Sequence, residues 1–307
     1  MQKIGFIGLG AMGGHMVRHL LEAGYEVHVA DLNEEAVATA VLHGAVRCES
    51  AVQVADRAGI VLACLPTPDV VEAVALGPNG VSSGSAVKVF VDHSTTGPQM
   101  SRHIATQLAE KDIVALDAPL AGAVPGAEAG TLSVMASGPT KAYQECEQIF
   151  RAFGRSVVHV GEQPGQGQVL KLVNNMIVSA TMVATAEAAL YGAKSGLDVG
   201  VMFEVLNASS ARSFVSEKLF PAAILNGSFN FGFRLDLMRK DLRLFLSEAE
   251  KAGSPTFASS LAKQYFDLAV AHMGGEQDVT RVVQQIETLA GAELRMKLVC
   301  AGVANTK

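Results

Sequence analysis

The first 160 residues alternate short apolar runs of the β type with amphipathic segments of helical period, and this alternation constrains the fold more than any other feature of the sequence. Strands separated by helices need crossover connections, which give a mostly parallel sheet covered by helices on both faces. The predicted strands span residues 3–9, 26–30, 59–65, 87–92, 113–118, 132–136 and 156–160. The pattern therefore predicts an α/β domain with a doubly wound sheet.

The second half of the chain has a different character. After residues 161–168 the apolar pattern is helical as far as residue 291, with no convincing strand. It opens on a long apolar segment, predicted as a helix over residues 168–194 that is roughly 40 Å long at 1.5 Å per residue. The sequence thus predicts two domains, residues 1–162 and an all-helical domain of residues 163–307 that begins with a linking helix.

Charge and hydrophobicity limit the partners of the chain. The formal net charge is −6 and Lys and Arg are not clustered, which excludes a nucleic-acid-binding surface. Apolar residues make up 49% of the chain and charged residues only 18%. This surplus of apolar side chains, together with the long apolar helix, predicts subunit contacts between helical domains, in a homodimer or homotetramer.

The long apolar helix is predicted to be buried in protein rather than in a membrane. It contains Lys171, Asn174, Asn175 and Glu187, whose polar groups would be costly in lipid. The amino terminus lacks the charged segment and long apolar region of a secretory signal. The scattered cysteines are typical of reduced thiols and favour a cytoplasmic protein; they are Cys48, Cys64, Cys146 and Cys300.

A glycine-rich motif follows the first predicted strand and opens the next helix. In G-L-G-A-M-G, Gly8 permits a tight turn, Gly10 lets a pyrophosphate approach the backbone, and Gly13 lets the helix pack closely on the strand. The N–H groups and the positive end of the helix dipole would face the pyrophosphate. A Rossmann-type dinucleotide site is therefore predicted here, with Ala11 and Met12 completing the loop.

The acidic residue expected after the second strand is Asp31, eighteen residues beyond Gly13. A carboxylate at this place can accept hydrogen bonds from the adenosine ribose and would repel a 2′-phosphate. No Lys or Arg occurs at residues 32–35 to bind that phosphate. The cofactor is therefore predicted to be NAD. The alternative is that Asp31 only caps the following helix.

Later segments complete a known pattern. They are GFIGLGAMG (5–13), LPTPDVVEAV (65–74), DHSTTGP (92–98), DAPLAGAVPGAEAGTLSVMASG (117–138), GQGQVLKLVNN (165–175) and FGFRLDLMRKDL (231–242). With these blocks the chain resembles the 3-hydroxyacid dehydrogenase family over nearly its whole length. The resemblance implies a Rossmann domain joined by a long helix to an all-helical domain. It also implies an NAD-dependent oxidoreductase that acts on a small anionic 3-hydroxy acid or its semialdehyde.

The resemblance assigns the catalytic lysine of the family to Lys171. Oxidation of an alcohol by hydride transfer needs a group that takes the hydroxyl proton, and a lysine can do this once burial or a second cation lowers its pKa. Asn175 lies one helical turn further on and would bind the substrate or orient the ammonium group. The alternative is that Lys171 extends to solvent without a chemical role.

The family pattern adds further residues around the nicotinamide. It places Lys240 near the nicotinamide and the substrate, with a surface ion pair to Asp236 or Asp241 as the alternative. Leu65 and Pro66 end a strand where the loop would pass the nicotinamide ribose. Ser94 and Thr95 contact the same region in the family, and could equally cap the helix that starts near Pro98. No metal site is predicted, and His93 and His159 are expected to be structural.

The substrate loop departs from the family. The usual motif is D-x-P-V-S-G-G, whose serine and glycine backbone hold the substrate carboxylate. Here Ala121 replaces the serine and Ala123 the second glycine, while Gly122 can still offer its N–H. A lost hydrogen bond to a charged group is worth roughly 1.5–3 kcal/mol, enough to change substrate preference. We therefore expect a substrate other than those of the serine-bearing members.

Several other functions fit parts of the pattern. A four-carbon sugar acid or a sulfonate is an alternative substrate within the family. Imine reductases share the fold but typically lack the lysine, and phosphogluconate dehydrogenase has a much longer helical domain. A non-catalytic NAD sensor would keep the glycine loop but need not retain Lys171, Asn175 and Lys240 together. The joint presence of these three residues favours the dehydrogenase.

Overall fold

A computed structural model describes residues 1–296 and divides the chain into two compact units. The first consists of Met1–Asn174 with Leu244–Ser254, and the second of Asn175–Arg243 with the residues from Pro255 onward. Cys300, predicted as a reduced thiol, lies outside the described residues; the three other cysteines are free thiols. The predicted domain boundary between residues 162 and 163 stays a prediction.

The first unit is built on a nine-stranded, mostly parallel sheet, as the sequence predicts. The strands are β1 (Lys3–Ile7), β2 (Glu26–Ala30), β3 (Val46–Arg47), β4 (Ile60–Ala63), β5 (Val89–Asp92), β6 (Val114–Asp117), β7 (Leu120–Ala121), β8 (Leu132–Ser137) and β9 (Gly154–Gly161). Their order is β3-β2-β1-β4-β5-β6-β8-β7, with β9 beside β8. All seven predicted strands are present. The two-residue strands β3 and β7 are too short to give a pattern and were not predicted.

Helices cover both faces of this sheet. They are α1 (Gly13–Glu22), α2 (Glu34–Leu42), α3 (Ala51–Ala55), α4 (Pro68–Leu76), α5 (Pro98–Ala109), α6 (Ala123–Glu128) and α7 (Thr140–Arg151). Successive strand residues point to opposite faces. Thus Phe6 packs in one core with Leu20 and Phe150, whereas Ile7 packs in the other with Val71 and Val54. Burial on both faces explains why the central strands are almost purely apolar.

The strand order places a switch point between β1 and β4. From β1 the chain winds outward to β2 and β3, then crosses back to β4, β5 and β6. The loops that follow β1 and β4 therefore diverge and leave a crevice outside the carboxyl ends of these strands, where ligands of doubly wound sheets bind. The glycine motif and Leu65 both lie in these loops.

The second unit is helical, as the sequence predicts. Helix α8 (Gln166–Lys194) leads into it and is followed by α9 (Val199–Asn207), a π-helical segment (Val215–Ile224), α10 (Leu235–Lys251), α11 (Phe257–Met273) and α12 (Arg281–Ala290). The part of α10 from Leu244 onward belongs to the first unit. Pro221 lies inside the π-helical segment, where its missing N–H is accommodated by the wider turn. Phe203 stacks on Phe220 with 5.1 Å between ring centroids.

Candidate active site

The three glycines of the β1–α1 loop occur there for different reasons. Gly8 has φ of 95°, a left-handed value that favours glycine, and a Cβ there would lie 2.4 Å from the Cys64 carbonyl oxygen. A Cβ on Gly13 would lie 1.9 Å from the Gly8 carbonyl oxygen. A Cβ on Gly10, in contrast, would meet nothing within 4 Å. Gly8 and Gly13 are thus required by the fold, while Gly10 keeps open space beside the start of α1.

Asp31 is tied to the glycine loop. Its carboxylate accepts hydrogen bonds from the Leu9 N–H at 2.5 Å and from the Asn33 N–H at 2.7 Å. The cap of α2 is Asn33, whose side chain accepts from the Glu35 and Ala36 N–H groups. The alternative that Asp31 caps this helix is therefore wrong. Its carboxylate instead joins the end of β2 to the loop that follows β1.

The loops after β4 and β5 are joined through Ser94. Its hydroxyl accepts a hydrogen bond from the Leu65 N–H at 2.9 Å, and its own N–H donates to the buried Asp92 carboxylate at 2.8 Å. Helix α5 begins after Gly97, which occupies the N-cap position and has no side chain that could cap it. The structure therefore brings Leu65 and Ser94, both predicted near the nicotinamide, into direct contact. Pro66 directly follows Leu65 in the same loop.

His93 has a structural environment. It is buried between Phe150 and Phe153, with ring centroids 5.5 Å away from its own in edge-to-face arrangements. Its Nδ1 lies 2.7 Å from the Ala118 carbonyl oxygen, to which it donates. Burial lowers the pKa of His93 to about 4, so the ring is neutral at physiological pH. His159, likewise predicted as structural, has Nε2 2.8 Å from the Gly138 carbonyl oxygen.

Replacing Asp92 with asparagine should change how stability depends on pH. Burial raises the pKa of Asp92 from 3.8 to about 6, so this carboxyl lowers the stability of the folded state as the pH rises from 4 to 6, by about 3 kcal/mol. The lowered pKa of His93 has the opposite effect and makes stability rise with pH, because between pH 4 and 6.5 the histidine is protonated in the unfolded state but not in the folded state. The two contributions roughly offset each other in the unsubstituted protein.

In Asp92→Asn the contribution of His93 is no longer offset by that of Asp92. The free energy of unfolding of this variant, measured by urea denaturation at pH 4, 5 and 6.5, should rise by about 3 kcal/mol relative to the unsubstituted protein across that interval. His93→Asn should show the opposite trend. If the free energy of unfolding of all three proteins changed with pH in the same way, the shifted pKa values of Asp92 and His93 would be contradicted.

The predicted substrate loop forms a tight turn between β7 and α6. Ala121 ends β7 and pairs with Ser133 of β8. Gly122 has φ of 131°, and Ala123 has φ of 52°. A left-handed conformation is disfavoured for alanine, so Ala123 stands in a backbone position that suits glycine. A glycine would adopt this conformation at lower energetic cost than Ala123 does.

Lys171 lies in the second turn of α8 and is only 9% exposed. The alternative that it extends to solvent is therefore wrong. Its burial is unusual for a lysine, because a charged group is rarely removed from water without compensation.

In the second unit a buried carboxylate joins two of the predicted site residues. Asp241 is 2% exposed, and its Oδ2 accepts from Asn175 Nδ2 at 2.7 Å. Its Oδ1 lies 3.2 Å from Lys240 Nζ. The ion pair considered as an alternative role for Lys240 thus exists, but its acidic partner is buried and also holds Asn175. Asn174 directly precedes Asn175 on α8 and is half-buried.

Asp241 is a residue that the sequence did not single out. The sequence indicates it only as an alternative surface partner of Lys240. The available signal is its position, since Asp241 directly follows Lys240 in the block over residues 231–242. Its burial depends on tertiary packing of α10, which a helical pattern alone does not show.

Residues 1–296 contain no group of three or more His, Cys, Asp or Glu side chains placed to hold a metal ion. One helix in the same range, Gln166–Lys194, is long and apolar enough to cross a membrane by length and composition. Buried helices of soluble proteins pass the same test, and 39% of its most apolar stretch is buried within the structure.

Known proteins match the chain along most of its length. Residues 3–161 match the NAD-binding domain of 6-phosphogluconate dehydrogenase, and residues 165–286 match the NAD-binding family of NADP-dependent 3-hydroxyisobutyrate dehydrogenase. A 2-(hydroxymethyl)glutarate dehydrogenase of Eubacterium barkeri is 37% identical over 95% of this chain and 97% of its own. A 3-hydroxyisobutyrate dehydrogenase of Pseudomonas aeruginosa is 38% identical over 87% of this chain and 92% of its own.

A solved structure shows the same fold. The 3-hydroxyisobutyrate dehydrogenase of Mycobacterium tuberculosis, determined with L-serine, superposes with a TM-score of 0.84 at 27% identity. The match covers 93% of this chain and 99% of that one. Both the sheet and the helical half therefore have counterparts in a protein of this kind.

Proposed function

The chain belongs to the 3-hydroxyacid dehydrogenase family and is an NAD(P)-dependent oxidoreductase, and on that premise we propose that it oxidises a short hydroxy acid with Lys171 as the general acid/base. The observation that carries this proposal is Lys171 itself, a lysine on α8 that is only 9% exposed. Asn175 follows it one turn later on the same helix. We also propose that residues 1–162 form the domain that binds the cofactor and that residues 163–307 form the helical domain.

The residues of the first unit fit a dinucleotide. The open space at Gly10 leaves room for a pyrophosphate beside the start of α1, whose N–H groups carry partial positive charge. Ala11 and Met12 lie in the same loop, and Asp31 lies at the end of β2. The loop ends that carry Leu65, Pro66, Ser94 and Thr95 follow the neighbouring strands. In this arrangement Asp31 would hold the adenosine portion and the glycine loop the pyrophosphate. The loop ends after β4 and β5 would hold the nicotinamide portion.

The chemistry then divides between the cofactor and the chain. A bound NAD would supply the acceptor for the hydride that leaves the carbinol carbon. Lys171 takes the hydroxyl proton on Nζ during oxidation and returns it in the reverse direction. Asn175 and Lys240, held by Asp241, orient the substrate and supply positive charge for its carboxylate. Gly122 offers its N–H in the substrate loop.

Asp31 supports NAD rather than NADP. Its carboxylate would repel a 2′-phosphate, and residues 32–35 contain no basic side chain. The guanidinium of Arg47, on the adjacent β3, is paired with Glu34 and Glu49. This pairing offsets its charge, so it offers little attraction to a further phosphate. The ratio of kcat/KM for NAD to that for NADP, measured with one substrate, tests the preference.

The substrate class is tested by a cofactor-reduction screen. The panel should contain 3-hydroxyisobutyrate, L-serine, four-carbon sugar acids and hydroxy sulfonates. We expect oxidation of a small anionic hydroxy acid, with 3-hydroxyisobutyrate not the best substrate because Ala121 lacks the family hydroxyl. If 3-hydroxyisobutyrate were best, the specificity argument would fail. If no member of the panel were oxidised while NAD still bound, the alternative of a non-catalytic NAD sensor would be favoured.

Restoring the hydroxyl at position 121 should shift this preference. Ala121→Ser adds a donor that can bind a substrate carboxylate, and such a bond is worth roughly 1.5–3 kcal/mol. We therefore expect kcat/KM for 3-hydroxyisobutyrate to rise about 10- to 100-fold. Ala129→Ser, a hydroxyl added on the exposed end of α6, should leave kcat/KM unchanged. Equal effects of both substitutions would argue against a substrate contact at Ala121.

We propose that a second copy of the chain covers an apolar stripe on α8, in a homodimer or homotetramer. The stripe consists of large exposed side chains at a spacing of four residues, Val169, Val173 and Ile177, of which Ile177 is 61% exposed. A membrane is a poor alternative, because the polar groups of Asn174 and Glu187 on this helix would be costly in lipid. The chain is accordingly proposed to be cytoplasmic, without a nucleic-acid or membrane partner.

Ile177→Glu should dissociate this assembly. A carboxylate buried in an apolar interface without a partner is strongly unfavourable, so analytical ultracentrifugation should show a smaller species than the unsubstituted protein. Leu42→Glu changes an exposed leucine on α2 and should leave the sedimentation coefficient unchanged. Identical sedimentation of all three proteins would place the subunit contacts elsewhere.

A further inference from the structure

The first turn of α8 is capped by side chains from distant strands. Asp117, at the end of β6, accepts from the Gly165 N–H at 2.6 Å and from the Gln168 N–H at 3.0 Å. The Gly167 N–H donates to the Ser137 hydroxyl at 2.9 Å. A helix leaves its first N–H groups without partners inside the helix. Here a carboxylate and a hydroxyl of the sheet satisfy three N–H groups at the start of α8.

Asp117 is itself fixed from several directions. It is 2% exposed, and it also accepts hydrogen bonds from the hydroxyls of Ser137 at 2.7 Å and Ser101 at 3.0 Å. A buried carboxylate held by this many donors has little freedom to move. The start of α8 is therefore held against the carboxyl edge of the sheet at a defined height and rotation.

A second connection leaves the same helical turn through the side chain of Gln168, which is fully buried. Its Oε1 accepts from the Thr96 N–H at 3.0 Å and the Gly97 N–H at 3.1 Å, and its Nε2 donates to the Ser94 carbonyl oxygen at 2.9 Å. The glutamine thus joins α8 to the loop after β5. This loop carries Ser94 and Thr95, which are proposed to contact the cofactor.

The glycines of G-Q-G-Q permit this close docking. A Cβ on Gly167 would lie 2.2 Å from the Met135 carbonyl oxygen and 2.8 Å from Asp117 Oδ2. Gly165 has φ of 94°, and a Cβ there would lie 2.9 Å from the Pro98 carbonyl oxygen. The backbone of α8 therefore contacts β8 and the start of α5 more closely than any side chain at these positions would permit.

These contacts end one turn before the amine on which the proposed function depends. Gln168 and Lys171 are three residues apart on the helix and lie on neighbouring parts of one face. We propose that Asp117 and Gln168 are positioning residues that set the location of Lys171 Nζ relative to the carboxyl edge of the sheet. This inference rests on the proposed role of Lys171, and its test separates the two.

The test is a set of four enzymes: the unsubstituted protein, Gln168→Met, Lys171→Ala and the double variant. Each is assayed for kcat with NAD and the panel member that the unsubstituted protein oxidises fastest, and for the Kd of NAD. Displacement of a catalytic group by about 1 Å can cost roughly 100-fold. We expect Gln168→Met to lower kcat about 10- to 100-fold in the lysine background and less than threefold in the alanine background, since there is then no amine left to misplace.

A matched control separates positioning from loss of stability. Gln285 is also a buried glutamine, with Oε1 3.0 Å from His272 Nδ1. Gln285→Met should lower Tm without lowering kcat. If Gln168→Met does not fold, Asp117→Asn serves as the second variant. It removes a different set of contacts with the start of α8, and it should likewise lower kcat when Lys171 is present but hardly at all in Lys171→Ala.

The outcomes distinguish the two proposals. An equal loss of kcat from Gln168→Met in both backgrounds would overturn the positioning role, because the glutamine would then act independently of the lysine. A raised Kd for NAD with unchanged kcat would overturn it as well, because the glutamine would then act on cofactor binding through the loop after β5. Full turnover in Lys171→Ala would instead overturn the proposed function.

Discussion

Replacing Lys171 with alanine should lower kcat by about 10²- to 10⁴-fold, the range that positioned general acid/base groups contribute. The loss should be in turnover, because the lysine lies outside the loops proposed to hold the cofactor, and the Kd of NAD should change less than threefold. Stopped-flow measurement of NADH formation gives kcat, and fluorescence titration gives the Kd. A fall in kcat with unchanged NAD binding separates a chemical role from a binding role.

Two further lysine variants make this result specific. Lys171→Arg keeps a positive charge, but a guanidinium cannot give up its proton at ordinary pH, so this variant should be about as slow as the alanine variant. Lys194→Ala alters an exposed lysine at the other end of the same helix, where Nζ donates to the Ala290 carbonyl oxygen. It should retain turnover within a factor of two. High activity in the arginine variant would show that Lys171 supplies charge rather than proton transfer.

The fold was largely predictable because its elements are marked by local patterns. Strands buried on both faces are apolar throughout, and the helices between them show a 3.6-residue period, so the order of elements follows from the sequence. Beta-strand β2 was predicted at its observed bounds, Glu26–Ala30. The strands β3 and β7 were missed, since two residues cannot show a period. The antiparallel pairing of β6 and β7 with β8 also leaves no local signal.

The candidate site was predictable only where a local motif fixes the conformation and close packing of the backbone. The roles of Gly8 and Gly13 in the fold follow from their spacing, and the structure gives each the steric reason expected of it. Buried hydrogen-bond networks are different, because their members are distant in sequence. Asp117 and Gln168 are 51 residues apart, and no local pattern in the sequence indicates that the start of α8 contacts the sheet through them. The same holds for Asp241.

The glycine loop gives the second large effect that we expect. Gly10→Ala places a methyl group where the protein has no atom within 4 Å, so the fold should not change and Tm should remain within about 1 °C of the unsubstituted value. The same methyl group would occupy the space proposed for the pyrophosphate. Loss of one or two charge-assisted hydrogen bonds, at roughly 1.5–3 kcal/mol each, corresponds to a Kd for NAD raised at least about 10- to 100-fold.

Gly13→Ala should give the reverse result. Its methyl group would lie 1.9 Å from the Gly8 carbonyl oxygen, a backbone atom that can move only if α1 shifts away from β1. Overpacking of this kind costs typically 1–3 kcal/mol, and differential scanning calorimetry should show a clear fall in Tm with NAD absent. The pair thus separates a glycine needed for ligand approach from one needed for packing. If Gly10→Ala bound NAD with unchanged affinity, the pyrophosphate would have to lie elsewhere, and the site built on this loop would be wrong.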